Sequence, residues 1–205
     1  MSGVKIKICG LSRPEDIETV NRYLPEYIGF VFWEKSKRNV SPEQAEMLRK
    51  QLDPRITPVG VFVDAEISFV ADLLNRGIIE IAQLHGKEDD AYIRELRKQT
   101  NKPCIKAFVI RSDEDLRQAA VSEADHILLD NGKGTGDAFD WNLIGAKARP
   151  FFLAGGIHPG NVREALAYRP YAIDTSSGVE TDGKKDPEKI RKIIEIVREE
   201  NNDSI

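Results

Sequence analysis

The chain has 205 residues, of which 40% are hydrophobic, and its 34 acidic and 30 basic side chains leave a net charge of -4. That suits one domain with a substantial core. It argues against nucleic acid or an anionic membrane as partner, since such binders are usually basic, while leaving room for a local site for one phosphate. No apolar run approaches the ~18 residues of a membrane helix. The charged first residues lack a signal-peptide core, so a cytoplasmic protein is expected. Cys9 and Cys104, the two cysteines, do not suggest a disulfide framework.

Short apolar runs recur in chain order at Val4–Ile8, Tyr27–Phe32, Thr57–Val63, Glu80–Leu84, Pro103–Val109, His126–Asp130, Phe151–Ala154 and Tyr171–Thr175. Each is rich in Ile, Val, Phe or Leu and has the length of a buried strand. Amphipathic stretches with helix-start signals lie between them. Ser12-Arg13-Pro14-Glu15-Asp16 follows the first run, and Ser41-Pro42-Glu43-Gln44 opens the next helix. Ser112-Asp113-Glu114-Asp115 places carboxylates at a positive helix start. Asp186-Pro187-Glu188 begins the last helix, and the weakest is the sixth, near Trp141–Lys147.

Eight strands alternate with about eight helices at a period of roughly 24 residues. Crossover helices imply parallel strands, and eight such units close most often as a single-domain (β/α)8 barrel with short loops. An open doubly wound sheet is the alternative. Residues 199–205 are expected to fray.

In a barrel the strand ends carry the chemistry. Cys9-Gly10 ends the first strand. A lone cysteine there is either a small buried hydrophobe or, as thiolate, a general base. Asp130 ends an apolar strand, where desolvation would raise its pKa and suit a general acid; it could equally cap the Asn131-Gly132 turn. Arg38 lies in a run of three cations that is either a solvated face or a grip for an anionic group. His85 ends the fourth strand and either lines a pocket or bonds a neighbouring loop. Gly155-Gly156 alone could be a tight turn. With Ser176-Ser177-Gly178 one unit later it reads as a phosphate cradle. Cys104, at the opposite rim, reads as structural. His126 and His158 fall in no metal-ligand spacing, so no metal is expected. Cys9-Gly10-Leu11-Ser12 is not a dinucleotide fingerprint. The Gly132–Gly136 segment lacks Walker spacing and reads as a substrate-side loop.

Several strings carry a family resemblance: KICGL at 7–11, GFVFWEKSKRNVSP at 29–42, VGVFVD at 59–64, QLHG at 83–86, LLDN at 128–131, LAGGIHPGNV at 153–162, DTSSGVE at 174–180 and GKKD at 183–186. In their order and position the chain resembles phosphoribosylanthranilate isomerase, over almost its whole length. The resemblance implies a (β/α)8 barrel and a cofactor-free Amadori rearrangement in tryptophan biosynthesis. It implies Cys9 as general base, Asp130 as general acid and Arg38 at the anthranilate end. Gly155, Gly156, Ser176, Ser177 and Gly178 would hold the phosphate, with Asp174 and His85 in the pocket. The segment from Asn131 to Asp137 is shorter than in many members.

The implied partner is a small sugar phosphate, and the protein itself a monomer or homodimer. A broader isomerase taking a substrate with two phosphates would need a second cradle after strands three and four. There Asp64 and Glu66 would repel it. A non-catalytic sugar-phosphate sensor would need none of Cys9, Asp130 and Arg38.

Overall fold

The computed structural model describes residues 3–130 and 149–203, together with Trp141 and Ile144. Eight strands form a closed parallel barrel in sequence order. They are β1 (Lys5–Cys9), β2 (Tyr27–Phe32), β3 (Thr57–Phe62), β4 (Ile81–Leu84), β5 (Cys104–Val109), β6 (His126–Asp130), β7 (Phe151–Leu153) and β8 (Ala172–Thr175). Pairing of β1 with β8 seals the cylinder and sets Lys7 opposite Asp174. The open sheet is thereby excluded.

Seven helices are present among the described residues: α1 (Pro14–Tyr23), α2 (Pro42–Gln51), α3 (Ile67–Asn75), α4 (Asp90–Arg97), α5 (Asp113–Val121), α6 (Val162–Leu166) and α7 (Pro187–Asp203). Their starts follow the sequence signals. Ser41 and Ser112 accept hydrogen bonds from the amides of Gln44 and Asp115, and Pro14 opens α1 with Asp16 accepting from the Ser12 and Arg13 amides. The sixth expected helix lies largely outside the described residues, as does the segment 131–137, expected as a substrate-side loop. Trp141 and Ile144 are buried. No helix among the described residues is long and apolar enough to cross a membrane.

The two-residue period of the strands sorts the side chains into two cores. Ile6, Ile8, Ile28, Phe30 and Phe62 face outward and pack with the helices. Tyr27, Val59, Ile81, Ile105, Leu128, Phe152 and Ala172 fill the barrel, with Cys9, Val31 and Val61 above them. The alternation in Lys5-Ile6-Lys7-Ile8-Cys9 has an unusual consequence. The apolar residues serve the helix shell, and Lys7 has no exposed surface at all.

Two features add to the barrel. Helix α7 extends to Asp203. The Asn201 side chain accepts from the Val4 amide at 2.7 Å and donates to its carbonyl at 2.9 Å, tying the tail to the start of β1. After β8 the chain also forms a short 3-10 turn, Ser177–Val179, and a small antiparallel hairpin, β9 (Glu180–Thr181) with β10 (Lys184–Lys185). Asp182 and Gly183 turn it with φ of 51° and 74°, the left-handed pair that Asp-Gly favours in two-residue hairpins.

Candidate active site

One pocket of about 180 Å³ opens at the C-terminal mouth of the barrel. Cys9, Arg38, His85, Asp130, Gly155, Gly156, Asp174, Ser176, Ser177 and Gly178 all line it. The ten residues come from six strand ends, and closure of the barrel is what gathers them. Val61, Gln83, Ala154 and Ile157 complete the wall.

Cys9 is the last residue of β1 and faces Gly29 of β2. A Cβ at Gly29 would lie 2.6 Å from the Cys9 sulfur, so the glycine makes room for the thiol. Burial pushes the thiol pKa up, and the Lys7 ammonium opposes that shift. Lys7, two residues back on the same face, donates to Asp174 Oδ2 at 2.8 Å. Burial disfavours the ammonium, yet Asp174 and Cys9 together hold its pKa above the ordinary value. Asp174 Oδ1 is buried and has no hydrogen-bond partner among the described residues.

On the far side, Asp130 ends β6. Its Oδ2 lies 3.1 Å from His85 Nε2, and His85 Nδ1 lies 3.0 Å from Gln83 Nε2. With the Gln83 amide donating to Nδ1, the proton sits on Nε2 and points at Asp130. The loop carrying His85 is braced by a buried lysine. Lys106 Nζ donates to the Gly86 carbonyl at 2.7 Å, and Glu88 accepts from the Gly86 and Asp64 amides.

The glycine pair bends sharply after β7, with φ of 90° at Gly155 and 66° at Gly156. Side chains rarely adopt that backbone. Asn161 Nδ2 and Thr175 Oγ1 donate to the carbonyls of Gly156 and Ile157 and fix this loop from outside. A Cβ at Gly178 would fall on the Ile157 carbonyl oxygen, so the two glycine turns pack directly on each other. Backbone amides brought this close to a cavity suit an anionic oxygen.

Arg38 is not free to grip a ligand with its whole fork. Its Nε and Nη2 donate to Glu180 at 2.6 and 2.9 Å. Lys185, almost wholly buried, donates to Glu180 at 2.7 Å and to the Ser176 carbonyl at 2.9 Å. Burial raises the Glu180 carboxyl, but hydrogen bonds from Arg38 and Lys185 outweigh it and bring the pKa to about 2. Ser176 Oγ in turn donates to the Cys9 carbonyl. The hairpin therefore locks the loop after β2 to the loop after β8.

Lys7, Gln83, Glu180 and Lys185 were not among the residues singled out from the sequence. Asp182-Gly183 was a legible hairpin signal for the last two. Lys7 had a signal as well, a lysine inside a run otherwise fit for burial. His158 serves its own loop, accepting from the Gly160 amide at 3.0 Å. Cys104 begins β5 at the opposite rim, where burial pushes its thiol up to about 11. No group of three His, Cys, Asp or Glu among the described residues is placed to hold a metal ion.

Comparison with known proteins follows the same lines. Residues 6–196 match the family model described as N-(5'phosphoribosyl)anthranilate (PRA) isomerase. A relative from Clostridium kluyveri named N-(5'-phosphoribosyl)anthranilate isomerase is 46% identical over 201 residues, covering 95% of this chain and 98% of its own. The crystal structure of phosphoribosyl anthranilate isomerase from Thermotoga maritima superposes with a TM-score of 0.87 at 36% identity, covering 96% and 99% of the two chains. A structure of the enzyme in complex with reduced 1-(o-carboxyphenylamino)-1-deoxyribulose 5-phosphate has a TM-score of 0.85, the same identity and the same coverage. With the barrel, the pocket and the matched span in agreement, the chain belongs to the N-(5'-phosphoribosyl)anthranilate isomerase family.

Proposed function

We propose that the pocket isomerises N-(5'-phosphoribosyl)anthranilate to 1-(2-carboxyphenylamino)-1-deoxyribulose 5-phosphate, a step of tryptophan biosynthesis, by general acid/base catalysis. The observation that carries this reading is the shared pocket of Cys9 and Asp130, with the two glycine turns at one end of it. An acid and a base at one cavity can act on opposite sides of a pentose while its phosphate is held away from both.

Asp130 gives its proton to the furanose ring oxygen. The C1–O bond breaks, its electron pair stays on oxygen, and the anthranilate nitrogen supplies the pair for a C=N bond. The Cys9 thiolate removes the C2 proton. The C–H pair becomes a C1=C2 bond and the C=N pair returns to nitrogen, giving an enolamine. Tautomerisation then moves the hydroxyl proton to C1 and leaves a ketone at C2. One carbon is oxidised as its neighbour is reduced, so the reaction balances without an external redox partner.

Gly155, Gly156, Ser176, Ser177 and Gly178 hold the phosphate through backbone amides and hydroxyls. The unpaired Asp174 Oδ1 suits a sugar hydroxyl as donor. His85 orients the Asp130 carboxyl. Arg38 meets the anthranilate carboxylate with the edge that Glu180 leaves open. The protein works in the cytoplasm as one catalytic domain, either alone or as a homodimer; the Thermotoga maritima relative is described as dimeric.

A fluorescence assay of anthranilate-ribose turnover tests the assignment. Cys9→Ala and Asp130→Asn are each expected to bind substrate without converting it. Near-normal turnover in both would remove the acid/base roles.

A further inference from the structure

Burial makes Cys9 a poor thiolate in a site that needs one. Four charged groups face it. Lys7 stands on its own strand, Asp174 on β8, Lys185 on the hairpin and Arg38 on the loop after β2. Arg38 and Lys185 are both committed to Glu180, which cancels much of their field at the sulfur. Lys7 is different. It is fully buried on the inward face of β1, so it cannot relax toward water. Its carboxylate partner, Asp174, sits at the register position opposite it, and Cys9 is the next inward residue above it.

A buried ion pair is weak ground for stability, because well-packed apolar side chains usually serve as well. The same strand shows what an inward lysine does when no thiol is near. Lys5 Nζ donates to the Tyr171 hydroxyl at 2.6 Å and lies 4.5 Å from that ring's centre, a packed and self-contained arrangement. Lys7 instead donates to Asp174, a carboxylate that lines the pocket and whose second oxygen is unpaired.

We propose that Lys7 is a positioning residue for catalysis: its ammonium, fixed by Asp174, is the charge partner that lets Cys9 become a thiolate. The proposal rests on Cys9 being the base. The thiol releases its proton to solvent, and the sulfur lone pair, held beside the ammonium, then takes the C2 proton. The Asp174 carboxylate works in the other direction. It holds Lys7 in place but repels the thiolate, so the two charges have opposite signs of effect on the same sulfur.

That opposition gives the test. Thiolate absorbance in the ultraviolet, read as a difference from Cys9→Ala, is followed against pH in the full-length protein. Lys7→Met is expected to move the Cys9 midpoint up by about 1–3 pH units. Asp174→Asn is expected to move it down. The double variant Lys7→Met/Asp174→Asn removes both buried charges and so keeps the fold if Lys7→Met alone does not. Its midpoint is expected to lie above that of Asp174→Asn, because the attraction of the ammonium for the thiolate is lost. In Lys7→Met the pH at which turnover rises should move with the midpoint while KM stays near its original value. A merely structural lysine would lower activity or stability without moving the thiol. A midpoint unmoved from the parent's in Lys7→Met, or unmoved from that of Asp174→Asn in the double variant, together with an inactive Cys9→Ala would overturn the role of Lys7 and leave the base assignment standing. An active Cys9→Ala would remove the base assignment itself.

Discussion

The two mouths of this barrel both carry clusters of polar side chains and use them in opposite ways. At the N-terminal floor, Lys5, Tyr27 and Tyr171 form a closed chain. The two hydroxyls lie 3.0 Å apart, the Lys5 ammonium lies 2.6 Å from the Tyr171 hydroxyl, and His126 stacks on the Tyr171 ring with centroids 5.2 Å apart. At the C-terminal mouth, Asp174 Oδ1 and Gln83 Oε1 are buried without a hydrogen-bond partner among the described residues. Leaving such atoms unmatched costs about 1–3 kcal/mol each. A floor that satisfies its own groups is a plug. A mouth that leaves acceptors open is set up for a ligand to complete it.

The sharpest way to break this contrast is at the two ends of the proposed proton path. Cys9→Ala and Asp130→Asn should each lower kcat by about 10²–10⁴-fold, the usual worth of one positioned acid or base, with a much smaller change in KM. If either variant turns over within a few-fold of the parent, the mouth is not catalytic in the way described.

A smaller effect is expected at the two glycine turns proposed to hold the phosphate. Gly178→Ala puts a methyl group on the Ile157 carbonyl oxygen. Separating the turns should cost about 1–3 kcal/mol, read as a rise in KM of roughly 5-fold to 150-fold, at about 1.4 kcal/mol per tenfold. Unchanged KM would show that the packed turns do not grip the phosphate.

Glu180 distinguishes the mouth by pH. Its folded carboxyl is depressed to about 2, against about 4.3 for an unperturbed glutamate. The stabilisation is therefore fully present above the unfolded value and is lost as pH falls from there through the folded value. Glu180→Gln should flatten the stability profile over that acid window, and freeing Arg38 should weaken substrate binding at neutral pH. An acid profile identical to the parent's in chemical denaturation would contradict the clamp.

Much of the mouth was legible because barrel closure turns strand ends into a site. Cys9, Asp130 and the Gly155-Gly156 and Ser176–Gly178 turns each end a strand, so locating the strands located them. What stayed hidden depends on which way side chains point in a closed cylinder. A Lys-Ile-Lys-Ile run has the look of a strand with one wet face, and the order of the letters cannot say that this face turns into the barrel. Glu180 and Lys185 were hidden for another reason. Their bonds to Arg38 and Ser176 span either the whole barrel seam or the hairpin turn, and only the Asp182-Gly183 turn advertised the hairpin. The tie of Asn201 to Val4 was hidden too, because it joins positions 197 apart in sequence.

The floor supplies the smallest effect on activity and the cleanest control. Tyr171→Phe keeps the ring that stacks on His126 and lies at 5.5 Å from Phe152, and removes only the hydroxyl shared by Lys5 and Tyr27. The Tyr27 hydroxyl then loses its mate in a largely buried setting, while Lys5 retains access to water. The loss should be about 1–2 kcal/mol, or a Tm lowered by about 2–4 °C per kcal/mol in a chain of this size. Turnover and the pH profile of Cys9 should stay where they are, because the altered group lies at the opposite end of the barrel from the pocket. A fall in kcat without a matching fall in Tm would mean that the floor communicates with the site, and the division between plug and pocket would have to be redrawn around Lys5 and Lys7 as one unit.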